Sequence, residues 1–171
     1  MKKTVIIYGT STGTCEDLAG RIGAKLGVDN IINVTDLDDS VIADNDNLIL
    51  GTSTWGAGEM QDDWYDGIKT LKNANLEGKT VALFGCGDSE SYPDTFVGGM
   101  AEIYNAVKKA GANVIGGVST EGYTFDDSES VVDDKFVGLA LDEVNEDNKT
   151  DERIDAWVAE IQPNLTSHNK F

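Results

Sequence analysis

Short, largely apolar runs recur along the chain at 4–8, 31–34, 48–50, 81–84 and 114–118. Each is bounded by Gly, Asn, Asp or Thr, as expected of strands covered on both faces. Between the runs the apolar spacing changes to three and four. Leu18, Ile22 and Leu26 form one helical stripe, with Gly27 placed to cap its C-terminus. Trp64, Ile68 and Leu71 form a second. Met100, Ile103, Tyr104 and Val107 form a third, closed by Gly111. Ile154, Trp157, Val158 and Ile161 form the last, where Thr150 reads as the N-cap, Asp151 and Glu152 suit the first turn, and Pro163 marks the stop.

The repeating β-α-β order predicts an α/β fold of three layers, a doubly wound parallel sheet with helices on both faces. Five strands suit the flavodoxin-like order 2-1-3-4-5. Residues 119–147 break the rhythm. They hold Gly122-Tyr123-Thr124-Phe125-Asp126-Asp127-Ser128 and a run of acids, too long for a plain connection, and read as an insertion near the last strand. No repeat or linker divides the chain, so residues 1–171 are expected to form a single domain.

Composition narrows the picture. A chain of 171 residues with 40% hydrophobic content and two prolines suits one globule of ordinary core volume. Thirteen basic residues stand against 31 acidic ones, a formal charge of −18. Such a surface repels nucleic acid and anionic membranes and attracts a basic protein face, or simply keeps the chain in solution. No leader-like segment or membrane-spanning run stands out. Cys15 and Cys86 are too few and too scattered for a disulfide framework or a zinc site, and read as small residues in a reducing compartment, which places the protein in the cytoplasm.

In a doubly wound sheet, ligands bind beyond the carboxyl ends of the strands where the strand order reverses. That rule brings together Thr10–Cys15, Thr52–Glu59 and Cys86–Phe96. The first loop, Thr10-Ser11-Thr12-Gly13-Thr14-Cys15, offers hydroxyls and backbone N–H groups at a helix N-terminus, a seat for a phosphate without any lysine or arginine. It lacks the Gly-Lys-Ser/Thr ending of a nucleoside triphosphate loop and the Gly-x-Gly-x-x-Gly of a dinucleotide turn, which favours a small monophosphate. Read blandly, it is a Ser/Thr-rich turn capping a helix. The second loop sets Trp55 among Thr54, Gly56, Ala57 and Gly58, whose glycines let backbone approach a ligand or change conformation. The third, Cys86-Gly87-Asp88-Ser89-Glu90-Ser91-Tyr92-Pro93-Asp94, holds Tyr92 before a proline that biases it toward an extended conformation. Trp55 and Tyr92 beside a phosphate seat are placed to sandwich a flat ring.

With these residues in view, the chain resembles the flavodoxins, nearly end to end. Thr10-Ser11-Thr12-Gly13-Thr14 is similar to the family's phosphate loop for flavin mononucleotide (FMN), Thr54-Trp55-Gly56 to its first ring-binding loop, and Gly87-Asp88 with Tyr92 to its second. Lys135–Asp142 and Gly122–Asp126 resemble segments of the long-chain members. Two positions depart. Cys15 stands where a threonine commonly binds phosphate, so the contact there falls to the backbone N–H, and Thr95 stands where some long-chain members carry asparagine near the ring.

The resemblance implies an electron-transfer protein rather than an enzyme: a low-potential carrier that shuttles single electrons on non-covalent FMN through the semiquinone/hydroquinone couple. It implies a monomer whose partners are basic-faced redox enzymes, both reductases and low-potential oxidoreductases, with no nucleic acid or membrane. In the family the Gly56–Ala57 peptide turns over on reduction to meet the flavin ring. Glu59, Asp62, Asp63, Asp88, Glu90 and Asp94 would disfavour an anionic reduced flavin, or else form a solvated face. An FMN-dependent quinone reductase and an FMN-bearing activator of one dedicated enzyme remain open on sequence alone. A phosphoacceptor domain of the same topology would need an aspartate where Gly51-Thr52-Ser53-Thr54 ends the third strand.

Overall fold

The computed structural model describes residues 3–55 and 58–166. Strand β1 (Thr4–Gly9) is buried throughout and lies inside the sheet. It pairs in parallel with β2 (Ile31–Asn33) on one side and with β3 (Asn47–Trp55) on the other. The short strand β4 (Glu59–Met60) folds back antiparallel on the end of β3, setting Trp55 opposite Glu59. Beyond β3 comes β5 (Thr80–Cys86), paired in parallel from Asn47↔Thr80 to Ser53↔Cys86. The order is the expected one, and only its last position differs from a simple strand.

That fifth position is filled in two pieces. β6 (Asn113–Ile115) pairs with Thr80–Ala82, the first half of β5. The chain then leaves the sheet and returns as β10 (Leu139–Leu141), which pairs with Phe84–Cys86, the second half. The run expected over 114–118 is therefore cut. Gly116 sits at φ +84, a region that favours glycine, and its carbonyl accepts a 2.9 Å hydrogen bond from Trp157 Nε1. Val118 lies in β7 (Val118–Ser119), part of a small antiparallel sheet with β8 (Val131–Val132) and β9 (Lys135–Phe136). The insertion is thus residues 116–138, inside the fifth strand position, and 142–146 serve as the loop into the last helix.

Alternation along the buried strands sends successive side chains to opposite layers. Val5, Ile7, Leu48, Leu50, Val81 and Leu83 face one core. It is closed by α3 (Trp64–Lys72) and α4 (Met100–Lys109), and the short α2 (Asp39–Asp44) adds Ile42. Ile6, Tyr8, Ile49, Ala82 and Phe84 face the other, closed by α1 (Thr14–Leu26) and α5 (Asp147–Thr166). All four helical stripes point inward, and Gly27 closes α1 in the left-handed conformation with its N–H on the Gly23 carbonyl. The polar six-residue α2, absent from the apolar pattern, is held by Asp38, whose side chain accepts from the Val41 N–H at 3.0 Å.

Two expectations about α5 are corrected. It begins at Asp147, not after a Thr150 cap, because Asp142 organises the entry: its carbonyl accepts from Glu146 N–H at 2.9 Å and its carboxylate from the N–H groups of Val144 and Asn145. It also continues through Pro163 to Thr166. A proline so near a helix end forfeits one backbone hydrogen bond, and Leu165 beyond it is fully buried.

The insertion packs against the α4 side of the sheet. Tyr123, Phe125 and Phe136 cluster with Phe96, ring centroids 4.9 to 6.2 Å apart. It also reaches the loop after β5. Pro93 O accepts from Asp126 and Asp127 N–H, Phe96 O from Ser128 Oγ, and Val97 O from Ser130 Oγ at 2.7 Å.

Candidate functional site

The carboxyl ends of β1, β3 and β5 open onto a cavity of about 320 Å3. Thr12 and Thr14 line it from the first loop, Thr54 and Trp55 from the second, and Cys86, Gly87, Asp88 and Tyr92 from the third. Eight of the expected residues are thereby brought to one space. Thr10, Ser11 and Gly13 share the first loop with Thr12. Trp55 is 44% and Tyr92 53% exposed, so both rings have free faces at the cavity mouth.

The first loop ties its own backbone. Gly13 N–H donates to Thr10 Oγ1 at 3.0 Å, and the hydroxyls of Thr12 and Thr14 lie 3.5 Å apart. Because Thr10 Oγ1 accepts, its single proton stays available for an incoming acceptor. The first-turn amides of α1 add further donors. Cys15 faces away from this mouth. It is fully buried among Tyr8, Leu18 and Phe84, and its thiol is held well above the ordinary range by a hydrogen bond to Cys86 and by burial. Only its backbone is placed to serve the loop.

In the second loop, Trp55 Nε1 donates to Ser53 Oγ at 2.8 Å, which fixes the indole edge. Thr54 Oγ1 accepts from Gly99 N–H at 3.1 Å. Gly58, at φ +94, donates to Trp55 O at 3.2 Å and closes the turn, packing beside Thr95. Thr95 itself is half-buried, its N–H on Tyr92 O at 3.3 Å. Gly56 and Ala57 lie outside the described residues.

The third loop is braced from the β10–α5 connection. Asp88 Oδ1 accepts from Ser91 N–H at 3.0 Å and from Asn145 Nδ2 at 2.8 Å; these bonds, the Ser91 one first, hold its carboxyl below the ordinary aspartate range. Asp142, fully buried, accepts from Ser89 N–H and Oγ and from the Asn145 backbone and amide. Burial alone would raise its pKa, but these hydrogen bonds outweigh it and the net shift is downward. Both carboxylates are ionised at neutral pH.

Sequence reasoning missed Ser53, Glu143 and Val144, which also line the cavity. Glu143 is tied to Arg21 Nη1 at 2.8 Å. The same strand-end rule would have found Glu143 and Val144 had the buried triplet Leu139–Leu141 been read as the end of the fifth strand. Among the described residues, no group of three or more His, Cys, Asp or Glu side chains is arranged to hold a metal, and no helix is long and apolar enough to cross a membrane.

The sequence model of the flavodoxin family matches residues 6–157. The chain belongs to the flavodoxin family. It is 43% identical to the flavodoxin of Buchnera aphidicola, across 98% of this chain and 100% of that one. It is 40% identical to flavodoxin 1 of Azotobacter vinelandii, across 95% and 97%. Among solved structures, that of Fusobacterium nucleatum flavodoxin bound to flavin mononucleotide superposes with a TM-score of 0.90 at 35% identity, covering 96% of this chain and 99% of that one. Like other flavodoxins, this chain is an electron-transfer protein rather than an enzyme.

Proposed function

We propose that the cavity between Trp55 and Tyr92 holds FMN and that the protein carries single electrons between redox enzymes. The observation that carries this reading is the meeting of two half-exposed aromatic rings with a cation-free hydroxyl loop at one cavity. The residues fit the group. The cavity is of ligand size, its ring end is aromatic and its far end presents neutral donors suited to a monophosphate. Thr10, Ser11, Thr12, Gly13 and Thr14, with the Cys15 backbone, would hold the phosphate. Thr54, Trp55, Gly58, Gly87, Asp88 and Tyr92 would hold the ring end. When bound, FMN supplies a ring that accepts and releases electrons one at a time.

The chain's own part is to set the field and leave an edge reachable. Asp88 is a fixed anion on the cavity wall, and Glu143 lines the same cavity. Negative charge disfavours electron uptake and so lowers the potential. Trp55, Tyr92 and the 68% exposed Val144 form an apolar rim within a strongly acidic surface. That combination suits transient docking of enzymes with basic faces around an electron path. The two buried free thiols suit a reducing compartment, the cytoplasm. Titration of flavin-free protein with FMN, followed by anaerobic reduction under a spectrophotometer, tests the reading. One FMN per chain and two separated one-electron steps are expected; a protein that binds no FMN would overturn it.

A further inference from the structure

Gln61 lies one residue past β4, only 3% exposed, and plays no part in lining the cavity. Three acceptors converge on its side-chain nitrogen Nε2: Thr10 O at 3.3 Å, Ser11 Oγ at 3.2 Å and Asp63 Oδ2 at 3.0 Å. Its Oε1 accepts from Asp63 N–H at 2.9 Å, and its own backbone N–H donates to Thr52 Oγ1 at 3.0 Å. These bonds settle the orientation of the amide, since Thr10 O can only accept and the Asp63 N–H can only donate.

We propose that Gln61 is a positioning residue for the phosphate group, acting through the Thr10–Ser11 peptide and the Ser11 hydroxyl. This deepens the FMN reading and rests on it. In a planar trans peptide the carbonyl and the N–H point in opposite directions. With Thr10 O drawn toward Gln61, the Ser11 N–H is turned to the other side, into the loop. Ser11 Oγ shares the two Nε2 protons with Thr10 O and the Asp63 carboxylate and, as an acceptor, keeps its own proton to donate outward. The same amide engages the Asp63 carboxylate and so supplies a neutral donor between that anion and a phosphate. A loop with no lysine or arginine depends on the aim of its neutral donors, and Gln61 sets that aim from behind.

The test compares FMN with riboflavin, which has the same ring and lacks the phosphate. Flavin-free wild-type protein, Gln61→Leu and Gln61→Glu are titrated with each flavin, following fluorescence quenching, and urea unfolding reports whether each variant is folded. Gln61→Leu is expected to weaken FMN binding by about tenfold, equivalent to about 1.4 kcal/mol, and to change riboflavin binding by less than about twofold. Gln61→Glu keeps the acceptor for the Asp63 N–H but replaces the donor with a charge, so its FMN loss should be larger and its riboflavin affinity again nearly unchanged. If Gln61→Leu fails to fold, Gln61→Glu decides by the same ratio. Equal losses for both flavins, or no loss for either, would overturn the positioning role. Wild-type protein that binds neither flavin would instead overturn the FMN reading on which it rests.

Discussion

Asn145 donates its side-chain amide to the Asp88 carboxylate at 2.8 Å, across 57 residues of chain, and so fixes an anion on the wall of the cavity. Asn145 is in turn held by Asp142 through its backbone N–H at 2.9 Å and its amide at 3.0 Å. A carboxylate about 10 Å from the flavin through water contributes about 0.4 kcal/mol. That corresponds to about 20 mV for one electron. Because Asp88 lines the cavity itself, Asp88→Asn should raise the more negative flavin potential by at least that amount in a redox titration at low salt, with a smaller rise at high salt.

The indole of Trp55 is oriented by a side-chain bond to Ser53 Oγ. Trp55→Ala removes one face of the ring site and should weaken FMN binding by about tenfold or more. Ser53→Ala leaves the ring in place but frees its edge, and a loss of about two- to fivefold is expected. Fluorescence quenching titrations measure both, and a Ser53→Ala protein as impaired as Trp55→Ala would show that Ser53 does more than aim the indole.

Asp142 gives stability a defined pH dependence. Its folded carboxyl titrates below its ordinary value of 3.8, so its contribution is present in full above about pH 4 and is lost as pH falls through the lower folded value. Asp142→Asn should cost about 1–3 kcal/mol at neutral pH, because donors from Ser89, Val144 and Asn145 lose a charged acceptor. The variant should also lose stability less steeply below pH 4 than the wild type. Urea unfolding across pH 3 to 7 measures both effects.

Trp157 joins the last helix to the point where the chain leaves the sheet. It is 1% exposed and donates to Gly116 O at 2.9 Å. Trp157→Phe leaves that carbonyl unpaired and opens space, at an expected cost of about 2–3 kcal/mol in urea unfolding. Gly116→Ala should also destabilise, since its Cβ would sit 2.7 Å from Trp157 Nε1 at a left-handed φ.

Much of this was legible in the residues. Five apolar runs and four stripes sufficed for the sheet order, because strands buried on both faces cannot hide their composition. Trp55 and Tyr92 were legible for the opposite reason: large aromatics among turn formers have no core to serve. What escaped was set by tertiary contact. Leu139–Leu141 is a run of three, too short to signal a strand, and its pairing with Phe84–Cys86 is visible only in space. Gln61 looks like any polar residue between β4 and α3, and two of its three acceptors, Thr10 O and Ser11 Oγ, belong to a loop 51 and 50 residues away in sequence. The Cys15 side chain is buried beside Cys86, a placement that depends on where β5 ends.

The divided edge strand has an architectural consequence. Because β6 and β10 both lie along β5, residues 116–138 leave the sheet and re-enter it one step further along the same neighbour. The excursion behaves as a cassette with its two ports side by side. Its contour can grow or shrink with little change in the span to be bridged, and each doubling of length adds only about 0.6 kcal/mol of closure entropy. The sheet therefore tolerates variation in the cassette, while the serines and aromatics that clasp the Tyr92 loop decide which cassettes still suit the flavin side of the molecule.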